Sequence, residues 1–294
     1  MSGKLKEVRE RMKSVSSTQQ ITKAMKMVSA AKLRKAQDAI VRMRPYADKL
    51  NHMLRNVMSA VGSDVSISFG VEREVKHATM VVITSSRGLC GAFNTNIIKA
   101  AVREIETKYS VQRAAKALTI VCIGKRGYDF FRRNYKDCNI IKDYVLLFEN
   151  LNFDNTVVVP RMLMDQYSKG ETDHITVCYS RFKNAATQFA ESVQFLPVPK
   201  IESGTKRRVD YIFEPEKDRL LNTLVPSILE VQFQKFLLDT QASEHGARMT
   251  SMDKATTNAD DLLNGLRISY NKARQETITK ELSEIVGGAA ALGG

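Results

Sequence analysis

A chain of 294 residues, 43% of them hydrophobic, can bury the core of one or two domains, and this excludes a disordered polypeptide. It contains no run of eighteen or more apolar residues, and Met1-Ser2-Gly3-Lys4 lacks the features of a signal peptide, so the expectation is a chain that stays where it is made. The net charge of +13 is concentrated: residues 1–60 hold fourteen Lys and Arg against Glu7, Glu10, Asp38 and Asp48, a local balance of +10 that calls for an acidic partner.

From Lys4 to about Val61 the apolar residues recur at steps of three and four. Leu5, Val8, Met12 and Val15 make one run, and Leu33, Ala36, Ile40, Met43, Ala47, Leu50, Leu54, Val57 and Val61 make another. No basic residue falls on either run, which predicts an amphipathic helix with a coiled-coil stripe and a cationic exterior. Thr22, Met25, Ser29, Leu33 and Ala36 join the runs through a four-residue stutter, which locally unwinds a left-handed supercoil. Pro45 removes one backbone hydrogen bond, but the stripe continues in phase across it, so one helix is expected.

The period then changes. His77–Thr84, Leu118–Ile123 and His174–Ser180 read as buried strands, with helical segments at Asn96–Lys108, Tyr128–Tyr135 and Asn155–Tyr167. Apolar strands alternating with helices predict a Rossmann-like α/β domain on a parallel sheet, spanning residues 75–213. Ser63–Arg73 and Ile201–Arg208 are expected to be its connections.

From Glu216 to Val286 a second helix is predicted, with a seam at Leu221, Leu224, Ile228, Val231, Leu238, Ala242, Met249, Met252, Ala259, Leu263, Leu266, Tyr270 and Ala273. At 1.5 Å per residue the two terminal helices would span roughly 85 and 100 Å. A narrow apolar stripe of that length needs a partner helix, and an inserted α/β domain makes the two helices antiparallel. The expected fold is thus α/β plus coiled coil, with residues 1–61 paired to 216–294. The longer helix should overshoot and leave a bare apolar tip near Ile285–Leu292 that suits a greasy socket in another protein.

Catalytic signals are weak. Thr84-Ser-Ser-Arg-Gly-Leu-Cys-Gly91 lies between a strand and a helix, where phosphate loops occur, but it has the spacing of neither GxGxxG nor GxxxxGK[ST]. A tight structural turn is the weightier reading of Arg87, Gly88, Leu89, Cys90 and Gly91, and a reactive Cys90 has no local histidine to activate it. Gly124-Lys-Arg-Gly127 reads first as a solvated turn. His52, His77, His174 and His245 share no metal-ligand spacing, and Cys90, Cys122, Cys138 and Cys178 form no CxxC pair, so no metal is expected and the thiols read as buried and free. Asp260 and Asp261 are adjacent on a helix and cannot work as a paired acid and base. The basic helix could hold nucleic acid, but its cations ring everything except the seam and Tyr46 is the only aromatic in residues 1–60, so acidic protein surfaces fit better.

The stretch Thr18-Gln-Gln-Ile-Thr-Lys-Ala-Met-Lys-Met-Val-Ser-Ala-Ala-Lys-Leu-Arg-Lys-Ala-Gln37, with Arg44-Pro-Tyr46, Arg87–Gly91, Ala242-Ser-Glu-His-Gly-Ala-Arg-Met249, Tyr270-Asn-Lys-Ala-Arg-Gln275, Ile278-Thr-Lys-Glu-Leu-Ser-Glu284 and Gly288-Ala289, resembles the gamma subunit of bacterial F-type ATP synthase. The resemblance implies a non-catalytic rotor without cofactor or small-molecule substrate. Its partners would be the alpha and beta subunits of the catalytic head, the epsilon subunit and the membrane c ring, not nucleic acid. It implies contacts with beta near Met25, Lys26 and Met27, contacts with the upper head at Arg248, Arg274 and Gln275, and a bearing tip at Ile285, Val286, Ala289, Ala290, Ala291 and Leu292. Ser86 departs from the acidic residue common there, and Pro226 suggests a break separating Glu216–Leu224 from the rest of the last helix. The lack of a transit peptide or regulatory cysteine pair points to the cytoplasmic face of a bacterial membrane.

Overall fold

The computed structural model describes residues 3–61, 69–70, 73–149, 151–198 and 217–292, with backbone alone at 51, 54–61, 217–222 and 290–292. In order the elements are α1 (Gly3–Val61), β1 (Ala78–Ile83), α2 (Phe93–Lys108), α3 (Ser110–Ala114), β2 (Leu118–Ile123), α4 (Lys125–Asn134), β3 (Asn139–Ile141), α5 (Phe153–Thr156), α6 (Val158–Ser168), β4 (His174–Phe182), β5 (Gln188–Leu196) and α7 (Lys217–Leu292). They fall into two compact units: residues 1–29 with 248–294, and residues 30–247. The expected connections at Ser63–Arg73 and Ile201–Arg208 lie almost wholly outside the described residues.

The larger unit is built on one five-stranded sheet of order β3-β2-β1-β4-β5. β1 pairs in parallel with β2 and β4, as the unbroken apolar strands predict, and β2 pairs in parallel with β3, a short strand the sequence reading did not single out. β5 pairs antiparallel to β4, so the sheet is mixed at one edge. That strand, Gln-Phe-Ala-Glu-Ser-Val-Gln-Phe-Leu, is polar and only partly buried along most of its length, and its signal is the hairpin turn before it. There Asn184 Oδ1 accepts the backbone N–H groups of Ala186 (3.0 Å) and Thr187 (2.7 Å), an Asx-type turn.

Alternation along the strands sorts the core into two layers. Val81, Ile83, Val121, Ile123, Ile175 and Val177 face one way and pack with Leu163 and Tyr167 of α6 and with Val225, Leu229, Phe233, Phe236 and Leu237 of α7. Ala78, Met80, Val82, Leu118, Ile120 and Cys122 face the other way, against Phe93, Ile97, Ala101 and Ile105 of α2 and Phe131 of α4. The beginning of α7 is therefore part of the α/β core. The same packing accounts for Pro226, which lies inside a continuous α7 where the sequence suggested a break. Val225, Ile228 and Leu229 are buried around it, and this burial offsets the roughly 3 kcal/mol cost of an interior proline. Pro45 likewise sits inside α1.

All four cysteines are free thiols, with Cys90, Cys122 and Cys178 buried and Cys138 half-buried. Burial pushes the Cys122 thiol up to about 12 and the Cys138 thiol up to about 11, which keeps both protonated and unreactive at neutral pH.

Candidate functional site: an exposed two-helix surface

In the smaller unit, residues 3–29 of α1 run antiparallel to residues 248–292 of α7. Lys4 Nζ lies 3.1 Å from Glu276 Oε2, Arg9 Nη2 donates to Tyr270 Oη (2.8 Å), Gln19 pairs with Asp260, Thr22 Oγ1 meets Thr256 Oγ1 (2.8 Å), and Lys26 Nζ lies 2.5 Å from Asp253 Oδ1. Each step forward along α1 is matched by a step back along α7, so these polar pairs define one register. Between them Leu5, Thr22 and Ser29 of α1 and Met252, Ala259, Leu263, Leu266 and Ala273 of α7 are buried, on the stripes the periodicity predicts. Thr22 and Ser29 occupy the stutter, and their hydroxyls also bond back to the Gln19 and Met25 carbonyls of their own helix. Small hydroxyl residues thus fill the layers where the heptad phase slips.

This register pairs the start of α1 with Glu276, so residues 277–292 have no described α1 residue opposite them. At 1.5 Å per residue that stretch is roughly 24 Å of helix. Ile278, Leu282, Ile285 and Val286 on it are exposed, Ile285 by 68%, and Ala289 is exposed as well. Ala290, Ala291 and Leu292 continue the helix, and their side chains lie outside the described residues. Exposed Ile285 and Val286 thus lie beyond the described pairing with α1.

The other expected contact residues differ in placement. Met25, on the stutter of the seam, is half-buried, Lys26 reaches across to Asp253, and Met27 is 67% exposed. Arg274 and Gln275 are exposed, whereas Arg248 is 7% exposed and engaged within the chain. Apolar positions off the seam were not singled out from the sequence: Ile21 and Val28 on α1, and Leu262 and Ile268 on α7, are exposed. Their signal was available, since Ile21 and Val28 stand seven residues apart and share a face outside the stripe. Every described Lys and Arg of α1 is exposed except the half-buried Lys26, so the surface is cationic with apolar spots.

In the larger unit the Arg87–Gly91 turn is closed by its own hydrogen bonds. Ser85 Oγ donates to the Arg87 carbonyl (2.6 Å), Ser85 N–H donates to Asn94 Oδ1 (2.9 Å), and Asn94 Nδ2 lies 3.2 Å from Cys90 Sγ. Leu89 and Gly91 adopt φ of 63° and 58°, a left-handed turn that glycine takes without strain. The first turn of α4 packs against the same place: Gly127 N–H donates to Thr84 Oγ1 (2.8 Å) and Arg126 N–H to the Ser85 carbonyl (3.2 Å). The N–H groups of Ser85, Arg126 and Gly127 are thus engaged within the chain. Gly124–Gly127 is not the solvated turn expected from its sequence, because Gly124 and Gly127 both press on Thr84.

Against this geometry the comparisons with known proteins agree. Residues 4–292 match the family model described as ATP synthase. The chain is 50% identical to the ATP synthase gamma chain of Cytophaga hutchinsonii, covering 98% of each, and 44% identical to that of Chlorobium phaeobacteroides, covering 99% of each. Among solved structures it is similar to the central stalk with c ring of Tetrahymena thermophila mitochondrial ATP synthase, at TM-score 0.60 and 26% identity over 80% of this chain and 99% of that one. A second, from Euglena gracilis mitochondrial ATP synthase, shares the fold at TM-score 0.68 with 22% identity over 99% of this chain and 95% of that one. The chain belongs to the ATP synthase gamma-chain family.

Proposed function

We propose that the chain is the central rotor stalk of an F-type ATP synthase, coupling proton-driven rotation of a membrane c ring to ATP synthesis or hydrolysis at the beta subunits. Residues 1–61 and 216–294 form the turning shaft, and residues 75–213 form the foot that meets the epsilon subunit and the c ring. The carrying observation is full-length family membership joined to an antiparallel helix pair with a cationic exterior and an unpartnered apolar end.

The mechanism is a difference in contact energy. A shaft that touches three beta subunits through different faces binds each conformation of beta unequally, and only such a difference can shift their populations. Exposed cations supply attraction to acidic loops at any angle, while Met25, Lys26 and Met27, and further up Arg274 and Gln275, supply local contacts. Arg248, the third head contact that the resemblance implies, is 7% exposed and engaged within this chain. The tip from Ile285 to Leu292 turns in an apolar bearing. The chain itself performs no ATP chemistry.

No helix among the described residues is long and apolar enough to cross a membrane, which suits a peripheral subunit. The bacterial relatives support a place on the cytoplasmic face of the energy-conserving membrane. The full-length family match favours this role over that of a basic coiled coil holding nucleic acid.

Purification from native membranes through a tag on this chain tests the reading. Alpha, beta, epsilon and c subunits should accompany it in one complex, and the isolated chain should hydrolyse no ATP. ATP turnover by the isolated chain, or recovery with nucleic acid in place of those subunits, contradicts the proposal.

A further inference from the structure

The smaller unit carries a second heptad stripe that its own helix pair leaves uncovered. Along α7, Ile268, Asn271, Gln275, Ile278, Leu282 and Ile285 recur at alternating steps of three and four without interruption. All are exposed, Ile268 by 72% and Leu282 by 57%. At about 100° per residue this stripe lies roughly 130° around the helix from the buried seam of Ala259, Leu263, Leu266 and Ala273. A strict three-four repeat is the pattern that interlocks with another helix, knobs into holes. The chain's own α1 is not that helix, because Lys4 and Arg9 hold its start to Glu276 and Tyr270, beside the buried seam.

The charges beside the stripe indicate which helix fits. Arg267, Lys272 and Arg274 flank its first half, and Glu276, Glu281 and Glu284 with Lys280 flank its second, so the segment is cationic at one end and acidic at the other. Laid antiparallel on a second copy of itself, each end meets its opposite, and the same surface serves both copies, as a two-fold axis requires. One register interlocks the layers, with Ile268 against Ile285, Asn271 against Leu282 and Gln275 against Ile278 of the second copy. That register also sets Arg274 of each copy beside Glu281 of the other. Both residues are exposed, and neither forms an ion pair among the described residues.

We propose that the unassembled chain pairs with a second copy of itself through this stripe, as an antiparallel coiled coil from Ile268 to Ile285. Asn271 and Gln275 fix the register at a cost in stability, so the pair is exchangeable. The pairing concerns the chain outside any head complex and does not rest on the rotor reading.

Sedimentation velocity of the purified full-length chain, from low to high micromolar concentration, tests this. The mass should rise from one chain to two and stop there. Leu282→Glu, at an exposed position where folding is not at stake, should raise the dissociation constant at least about tenfold. Arg274→Glu should raise it severalfold, and Arg274→Glu combined with Glu281→Arg should return it to within about twofold of the native value. A single chain at every concentration, or growth beyond two chains, overturns the proposal. A dimer that Leu282→Glu leaves intact uses another surface and overturns it as well, and so does a charge swap that fails to restore pairing.

Discussion

Gly124 stands so close to Thr84 that a Cβ on the glycine would lie 2.0 Å from the Thr84 carbonyl oxygen. Gly124 also holds φ at 91°, which side-chain-bearing residues rarely adopt, and its N–H donates to the Val145 carbonyl at 3.1 Å. Gly124→Ala should therefore cost about 3 kcal/mol or more, because backbone on both sides must move. Gly88→Ala meets only the end of the Arg126 side chain, at 2.7 Å from Nη2, and should cost under about 1 kcal/mol. Urea unfolding of the two variants checks the contrast, and equal losses would refute it.

Two glycines inside α7 make a second matched pair. Nothing lies within 4 Å of a Cβ built on Gly265, so Gly265→Ala should stabilise by about 1 kcal/mol through helix propensity alone. A Cβ on Gly246 would meet Ala185 at 3.2 Å from Cα and 3.3 Å from the carbonyl oxygen, in the hairpin held by Asn184. The crowding should cancel the propensity gain and leave Gly246→Ala destabilised by about 1–2 kcal/mol. Thermal melts of both variants should move in opposite directions.

Asp239 makes stability depend on pH. Burial raises its carboxyl to about 6, against the partial pull of Lys235, Arg181 and Arg44 and with a small push from Glu191. The native state holds this proton where the unfolded chain, titrating near 4, has released it. The contribution to stability is therefore most favourable below about pH 4, falls as pH rises to about 6 and is flat above. Asp239→Asn should remove that slope and raise stability at pH 7 by on the order of 2 kcal/mol. Denaturant midpoints of both proteins between pH 4 and 8 test the sign.

The tip separates folding from assembly. Because Ile285 and Val286 are exposed, replacing both with Glu should change the stability of the isolated chain by less than about 0.5 kcal/mol. If the tip turns in an apolar bearing, as proposed, two carboxylates there should lower the yield of assembled head complex severalfold. Normal assembly and ATP synthesis in the double variant would remove the bearing from the model of rotation.

Arg274→Ala with Gln275→Ala should likewise leave the fold alone, since both side chains are exposed, and should reduce coupled ATP synthesis. Arg248→Ala differs: truncation of a buried residue that is engaged within the chain should cost about 1–3 kcal/mol of stability. If the triple variant kept full coupled synthesis, these residues would have no part in gripping the head.

Much of the candidate surface could be read from residue order because its cause is local. Steps of three and four place Leu5, Leu263 and Ala273 on a stripe regardless of what surrounds them, and the excess of apolar positions in the later helix implies the bare end. The strand β5 escaped notice because its residues alternate weakly and its pairing with β4 is set by a turn. Arg248 could not be told from Arg274 by type or spacing, since both are arginines on one helix, and burial alone distinguishes them.

The sequence by itself determined the two long helices, their seams, the cationic exterior, the parallel strands and the family, all consequences of periodicity, composition and motif. Tertiary structure decided which seam residues share a layer, that α7 passes intact through Pro226 because Val225 and Leu229 pack on the sheet, and that Gly124 is required by a carbonyl forty residues away in the chain. It also buried Asp239 beside Lys235. These facts depend on distances between residues remote in sequence, and the energies that matter there, close packing and desolvation, are properties of neighbours that only the folded chain brings together.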